Sequence, residues 1–395
     1  MKYPQLSIPA VTAEMDYSGN LEMQEKDYWV QDNAESYFAN FQEMHEHLTE
    51  REKKARWADE IKISDTRLGF ICDWTENIIK QGSTGIWALT DTQNRTRLVL
   101  ISDKGILAIR QCALKSIEER AAISGMALSR VELDVYKMIL NECLSVAPAN
   151  GKVRIADGKI SAFLSNDYVP VAMPDIFQTA QNYINQQFPA NNFIEGYWSH
   201  EISSCRWEVT NAAHLCKMYA KALEEHGVSY TGTISPVINL WSSDIGTAGV
   251  NLMPMLYLGG KEFALPLGGP IGMHHKGKAS LDEFYLNLQG VFALYSDRTM
   301  QLAGLLDIAI NNPVPCIKNV MHKLQIPRKY RNAVISNFEI AYGTGTCTAH
   351  DVFIGLGEIF LVLQQEKASG MLFVKFEEIV AKALKFDYKH FDVKP

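Results

Sequence analysis

Short β-rich runs and amphipathic helical segments alternate irregularly along this chain, and this irregularity constrains its fold more than any other feature. The runs with β character cover residues 85–89, 98–101, 159–165, 193–210 and 236–258. Helical patterns separate only some of them, so the regular strand–helix–strand period of a doubly wound parallel sheet is missing. We therefore predict an α+β fold with a mixed or antiparallel sheet in the central region.

The two ends of the chain differ from this centre. The last third is predicted to be mostly helical, with helices near residues 280–310, 315–325, 330–341, 349–367 and 373–384. Residues 1–60 carry six basic and thirteen acidic residues, which accounts for the whole net charge of −7. Within this acidic part, the spacing of apolar residues over 41–61 predicts an exposed helix. We expect an acidic helical N-terminal arm, residues 1–61, followed by a single α+β core, residues 62–395.

Composition excludes several classes of protein. With 47% hydrophobic and 21% charged residues, the chain is typical of a soluble globular protein. It has no uninterrupted apolar run of about 18 residues, so a membrane-spanning helix is not expected. The seven cysteines are scattered and form no C-x-x-C pair, which argues against a disulfide framework or a zinc knuckle. Reduced thiols in the cytoplasm fit this pattern best.

One segment, residues 311–331, is basic and contains neither Asp nor Glu. Its cations are Lys318, Lys323, Arg328, Lys329 and Arg331. A solvated helix followed by a turn at Pro327 explains this composition without a ligand, whereas a polyanion site is the functional alternative. Lys276 and Lys278 are further cations that such a site could include.

Two loops contain residue types that occur in metal, anion or catalytic sites. His274 and His275 are adjacent in a glycine-rich loop, but adjacent residues rarely both bind one metal ion, and no carboxylate or thiol lies at helical spacing from them. The glycines of residues 343–345 precede a helix but lack the lysine of a phosphate-binding loop. A capping pair, Thr348 and Asp351, explains that composition equally well. The sequence predicts no metal and no cofactor, and the enzyme question stays open with the balance against one.

Four stretches, in order, are similar to a family of phage and plasmid proteins known as domain of unknown function 932. They are residues 105–111 continuing to 139–144, residues 162–170, residues 242–250 and residues 275–277. The resemblance covers about residues 98–363. Asn166 and Asp167 replace the family's usual acid and arginine before Tyr168. The resemblance implies a cytoplasmic accessory protein of a mobile element.

The motif residues also have a direct physical interpretation. Ser165 and Asp167 are turn formers at the end of a strand, and Tyr168 can bury its ring there. Ser243 and Asp244 follow another strand, and His275 belongs to the last motif. If both strands belong to one sheet, these ends form a polar rim, where binding sites are common.

These observations favour a role in DNA metabolism, such as single-strand binding, annealing or recombination. The basic segment would contact phosphates, and four aromatic residues could stack on unpaired bases: Tyr168, Tyr197, Trp198 and Trp241. The alternative is a protein-interaction factor, for instance in counter-defence, that binds its partner through the acidic arm. An enzyme acting on a nucleotide or small anion is a third hypothesis. The sequence leaves a homo-oligomer open.

Overall fold

The computed structural model describes residues 34–70, 98–102, 105–210, 212–230, 232–259, 263–277 and 279–394. These residues form fifteen strands, in chain order β1 (Glu35–Phe38), β2 (Ala55–Lys62), β3 (Arg67–Phe70), β4 (Leu98–Ser102), β5 (Gly105–Ala108), β6 (Asn150–Ala156), β7 (Lys159–Ser165), β8 (Asn191–Ser199), β9 (Ser203–Val209), β10 (Ile234–Ser242), β11 (Val250–Leu258), β12 (Ala264–Pro266), β13 (Ile271–Met273), β14 (Ala309–Ile310) and β15 (Cys347–Thr348).

The same residues form twelve α-helices, which are α1 (Phe41–Lys53), α2 (Ala113–Arg120), α3 (Leu133–Ser145), α4 (Met173–Gln187), α5 (Lys217–Glu225), α6 (Leu281–Gly304), α7 (Pro313–Lys323), α8 (Arg328–Tyr342), α9 (Ala349–Leu356), α10 (Glu358–Gln365), α11 (Gly370–Ala381) and α12 (Tyr388–Phe391). None of the helices in the described ranges is long and apolar enough to cross a bilayer. The predicted α+β class is confirmed, with antiparallel sheets and a mostly helical C-terminal third.

The main sheet has seven antiparallel strands in the order β1-β8-β9-β10-β11-β12, with β13 also paired to β11. Its central strands, β10 and β11, are almost entirely buried because both faces of the sheet are covered. On one face, Leu240 and Leu252 belong to a large core shared with the C-terminal helices. On the other face, Trp241 and Met253 pack with residues of α11.

A second, smaller core lies beside the main one. Two three-stranded sheets, β2-β6-β7 and β3-β4-β5, enclose it together with α2 and α3. Strand β4 confirms the predicted strand near residue 98, whereas its predicted hairpin partner at 85–89 lies outside the described residues. We call this part the small lobe and the part around the main sheet the main lobe.

From Ala34 onward, the acidic N-terminal region is part of the fold. Strand β1 forms one edge of the main sheet, and α1 buries Met44 and Leu48 in the main core. The helix predicted over 41–61 ends at Lys53, because Ala55–Lys62 pairs with β6 as strand β2. Tertiary pairing has here overridden a local pattern that also suits a helix. The remainder of the predicted arm, residues 1–33, lies outside the described residues.

Candidate functional site

The motif residues lie at the junction of the two lobes. Strand β7, which ends at Ser165, belongs to a small-lobe sheet, whereas β10, which ends at Ser242, belongs to the main sheet. The condition under which the sequence predicts a polar rim, that both strands belong to one sheet, is therefore not met. Their ends nevertheless lie together, because the Val169 N–H donates to the His275 carbonyl at 2.8 Å and Tyr168 forms a β-bridge with Lys276.

Tyr168 is the centre of this junction. Its ring stacks on His275, with centroids 5.1 Å apart, and contacts Trp57 at 5.3 Å. Its hydroxyl donates to the carbonyl of Ser243 across 3.4 Å. Burial, with a smaller effect from the charge of Asp244, raises the pKa of Tyr168 far above its usual value. The phenol therefore stays protonated and serves as a packing group with one hydrogen bond.

His275 is buried, whereas the adjacent His274 is exposed. The His275 Nδ1 lies 3.3 Å from the Val169 carbonyl oxygen, and its Nε2 lies 3.5 Å from the Ser242 hydroxyl. A carbonyl oxygen only accepts, so Nδ1 carries the proton and Nε2 accepts from Ser242. Burial lowers the pKa of His275, which keeps the ring neutral near pH 7. Across the described ranges, no group of three or more His, Cys, Asp or Glu residues could hold a metal ion.

Asp244 pairs with a cation that the sequence analysis missed. Arg154, only 5% exposed, places Nη2 2.5 Å from the Asp244 Oδ2 and 3.1 Å from the Glu52 Oε2. Burial raises the pKa of Glu52, and the guanidinium opposes this effect. These pairs join β6 to α1 and to the loop after β10. The available sequence signal is an arginine between two β-branched apolar residues, Val153 and Ile155, in a run that forms β6.

A second ionic cluster lies beside the first. Arg110, 1% exposed, donates through Nη1 to the His200 Nε2 at 2.9 Å, and its Nη2 lies 3.1 Å from Asp157. Arg51 reaches the same Asp157 carboxylate at 2.6 Å and covers the ring of Trp198. A cavity of about 250 Å³ opens next to this cluster, and His200 forms part of its wall. Both clusters join α1 and the main lobe to the small lobe.

The remaining rim residues lie at the edge of the junction. Ser165 is half-buried, and its carbonyl accepts from the Tyr168 N–H, whereas Asp167 is exposed. The Ser243 hydroxyl accepts from Thr247 at 2.7 Å. Structure thus brings Tyr168, Ser243, Asp244 and His275 together and leaves Asp167 outside. Tyr168 contacts both Ser243 and His275 across the junction, so these residues hold the two lobes together.

The basic segment forms α7, a turn and the first turn of α8. Lys318, Lys323 and Arg328 are exposed, because α7 turns its apolar residues, including Ile317 and Val320, into the main core. The other two predicted cations differ. Lys329 pairs at 2.6 Å with Glu366, the residue that follows α10, and Arg331 is half-buried. Lys276 is exposed at the lobe junction, and Lys278 lies outside the described residues.

The four aromatic residues considered for base stacking are all buried: Tyr168, Tyr197, Trp198 and Trp241. Their rings contact other side chains of the protein, so none presents a face to a base. The Gly343–Gly345 loop does precede a helix, α9, but the Thr348 and Asp351 capping box predicted from the sequence is formed. Because the Asp351 carboxylate already occupies that helix end, an anion there would meet a negative charge.

Comparison with known proteins gives no assignment. The chain matches no known protein family profile, no curated protein and no solved structure.

Proposed function

We propose that this chain binds nucleic acid through phosphate contacts made by the exposed cations of α7 and α8, and that it serves the DNA metabolism of a mobile element. The observation that supports this proposal is the placement of Lys318, Lys323 and Arg328. All three project from the protein surface, and the surrounding segment 311–331 contains no carboxylate. Neutralisation of phosphates by such cations supplies most non-specific affinity for nucleic acid.

The burial of the aromatic residues changes the expected mode of binding. Base stacking on Tyr197, Trp198 or Trp241 would require the core to open, so phosphate contacts are the source of affinity in this proposal. The sequence predicts a preference for single-stranded DNA because these rings could stack on unpaired bases. The same assay tests this preference separately, by comparing single-stranded with duplex DNA.

The test is fluorescence anisotropy of the purified, nuclease-treated protein with labelled single-stranded and duplex DNA at several salt concentrations. We expect the triple variant Lys318→Glu, Lys323→Glu, Arg328→Glu to bind at least about tenfold more weakly and to show a shallower dependence on salt. Lys329 is kept, because a glutamate there would face Glu366 and disturb the fold. Lys115→Glu, an exposed charge reversal on α2 in the small lobe, is the control.

Equal binding by the triple variant and the Lys115→Glu control would contradict the proposal. So would the absence of binding by the wild-type protein at low salt.

The alternative is a protein partner bound by the acidic N-terminal region. Its test is a deletion of residues 1–33 rather than of the whole predicted arm. Deleting residues 1–60 would remove β1, α1 and most of β2, and with them Met44 and Leu48 of the main core. Residues 1–33 can be deleted without touching these contacts, and they carry six acidic and two basic residues. Loss of a captured partner on that deletion, with an unchanged thermal midpoint, is the result this alternative requires.

A further inference from the structure

The C-terminal segment 382–394 places additional cations beside the basic segment. Lys385 and Lys389 are exposed, and His390 lies next to Lys389 at the surface. The segment includes α12, in which Tyr388 is fully buried. Backbone carbonyls of α12 accept hydrogen bonds from side chains of α7. The Cys316 thiol lies 3.8 Å from the Tyr388 carbonyl oxygen.

A second contact fixes the position of α12 along α7. The Asn319 side-chain amide donates to the Phe391 carbonyl at 3.3 Å. Asn319 follows Lys318 directly and lies about one helical turn before Lys323. These contacts pack α12, and with it Lys389, against the helix that carries Lys318 and Lys323, and Lys385 lies in the short turn that leads into α12.

Asp392 holds this segment in place. Its carboxylate accepts hydrogen bonds from the backbone N–H of Asn312 at 2.7 Å and of Asn311 at 2.9 Å. The side-chain amides of the same two asparagines donate to it at 2.9 and 3.4 Å. Both asparagines immediately precede α7, so the end of the chain is attached to the start of the basic helix. Burial alone would raise the pKa of Asp392, but these donors outweigh it and hold that pKa below its usual value.

We propose that Lys385 and Lys389 extend the nucleic-acid surface of α7 and α8, and that Asp392 is a positioning residue that holds them there. This inference rests on the proposed function. In this proposal the nucleic acid lies across α7 and the C-terminal residues 385–389, and its phosphates contact the cations of both.

If Asp392 is a positioning residue, its removal should change the affinity for nucleic acid in the direction opposite to that expected for most carboxylates. Removing a carboxylate near a polyanion site ordinarily strengthens binding, because it removes a repulsion. Here the Asp392→Ala variant weakens binding, because the segment that carries Lys385 and Lys389 loses its anchor. Glu339→Ala removes an exposed carboxylate of α8 that makes no hydrogen bond or ion pair with any residue that the structure describes, and it is the matched control.

The experiment measures the affinity for duplex DNA as a function of salt concentration for five variants of the 395-residue chain: the α7–α8 triple variant, the Lys385 and Lys389 reversal, Lys115→Glu, Asp392→Ala and Glu339→Ala. We expect Lys385→Glu with Lys389→Glu to weaken binding by at least about fivefold and to reduce the salt slope by about two, since each lost phosphate contact removes about 0.9. We expect Asp392→Ala to weaken binding while Glu339→Ala leaves it unchanged or strengthens it. Far-UV circular dichroism and thermal midpoints establish that each variant is folded.

The outcomes separate the two proposals. If the α7–α8 triple variant loses affinity but the Lys385 and Lys389 reversal binds like Lys115→Glu, the extension to α12 is wrong and the proposed function stands. If neither reversal differs from that control, both proposals fail. Stronger binding by Asp392→Ala refutes the positioning role. Should Asp392→Ala not fold, the lysine pair decides the extension alone, since its side chains are exposed and make no core contact.

Discussion

Replacing Arg154 by methionine should destabilise the protein, because it removes a cation that pairs with two carboxylates, those of Glu52 and Asp244, at the lobe junction. The Arg154 side chain is 6% exposed, whereas the side chains of Glu52 and Asp244 are 33% and 27% exposed. Breaking a fully buried ion pair by removing one partner costs about 3–5 kcal/mol. Since water still reaches both carboxylates, we expect a smaller loss of unfolding free energy, about 2–3 kcal/mol. Methionine retains the apolar stem and so limits the cavity left behind.

A double-mutant cycle isolates the ionic part of this effect. Asp244→Asn should lower the unfolding free energy of the wild-type protein. In the Arg154→Met background, where Arg154 no longer pairs with the carboxylate, the same substitution should lower the unfolding free energy by less or even raise it. We expect a coupling energy of about 1–2 kcal/mol between the two sites. Urea unfolding at pH 7.5 gives both the midpoint and the slope, and only changes in midpoint at constant slope count as stability changes.

The control is Lys62→Met, which breaks an ion pair with Asp65 whose two side chains are both more than half exposed. It should change the unfolding free energy by less than about 1 kcal/mol. An Arg154→Met protein as stable as this control would refute the reasoning. So would an Asp244→Asn substitution that costs the same in both backgrounds.

Three further predictions concern pH, packing and thiol reactivity. Burial lowers the pKa of His275, so its contribution to stability is complete above about pH 6.5 and is lost as the pH falls below that value; His275→Gln should make the urea midpoint less dependent on pH between 7.5 and 5.5. Gly355→Ala should cost about 1–3 kcal/mol of unfolding free energy, because its Cβ would lie 2.3 Å from the Phe338 ring, whereas Gly269→Ala, in open space, should cost far less. Burial raises the pKa of Cys216 to about 12, so its thiol should react with a disulfide reagent only after denaturation, and rapid labelling of the native protein would contradict this.

Much of the strand pattern was predictable from the sequence, because buried strands have a strong local signal. Strand β7 matches the predicted range 159–165, and β10 and β11 meet at the predicted glycine-containing turn. What could not be predicted was which strands pair. β7 and β10 have similar apolar patterns, yet they belong to different sheets, because strand pairing is decided by contacts distant in the chain.

Helix α3 shows a different kind of failure. The sequence has a helical stripe that we would expect to face the core, made of Val131, Val135, Met138, Ile139 and Cys143. Val131, Ile139 and Cys143 pack against the small-lobe core, but Val135 and Met138 are exposed. The buried stripe is Tyr136, Leu140 and Leu144. Both stripes have helical spacing, so periodicity alone cannot choose between them. Packing against the small-lobe sheets decides which stripe is buried, because the larger Tyr136, Leu140 and Leu144 side chains fill the core there.

Helix α2 begins earlier than its predicted capping signal for a related reason. Ser116 and Glu119 match the S-x-x-E pattern of a capping box, which predicts a helix that begins after Ser116, but the helix starts at Ala113 and Ser116 lies inside it. Its hydroxyl accepts from the Phe163 N–H of β7 at 2.8 Å and donates to the Ala113 carbonyl. A serine that suits a helix cap can equally serve a neighbouring strand, and that strand is 47 residues away in the chain.

The charged residues of this protein divide into two groups with opposite physical requirements. Arg110 and Arg154 are buried, so each needs carboxylates or other acceptors fixed around it, and these requirements tie α1 to both lobes. Lys318 and Lys323 are exposed, make no ion pair within the described ranges and have no carboxylate in their own segment. A cation of the first kind cannot bind an outside anion without losing its internal partners. A cation of the second kind can, because its water and small counterions are readily released. For this reason we propose the α7–α8 surface, rather than the ionic junction between the lobes, as the polyanion site.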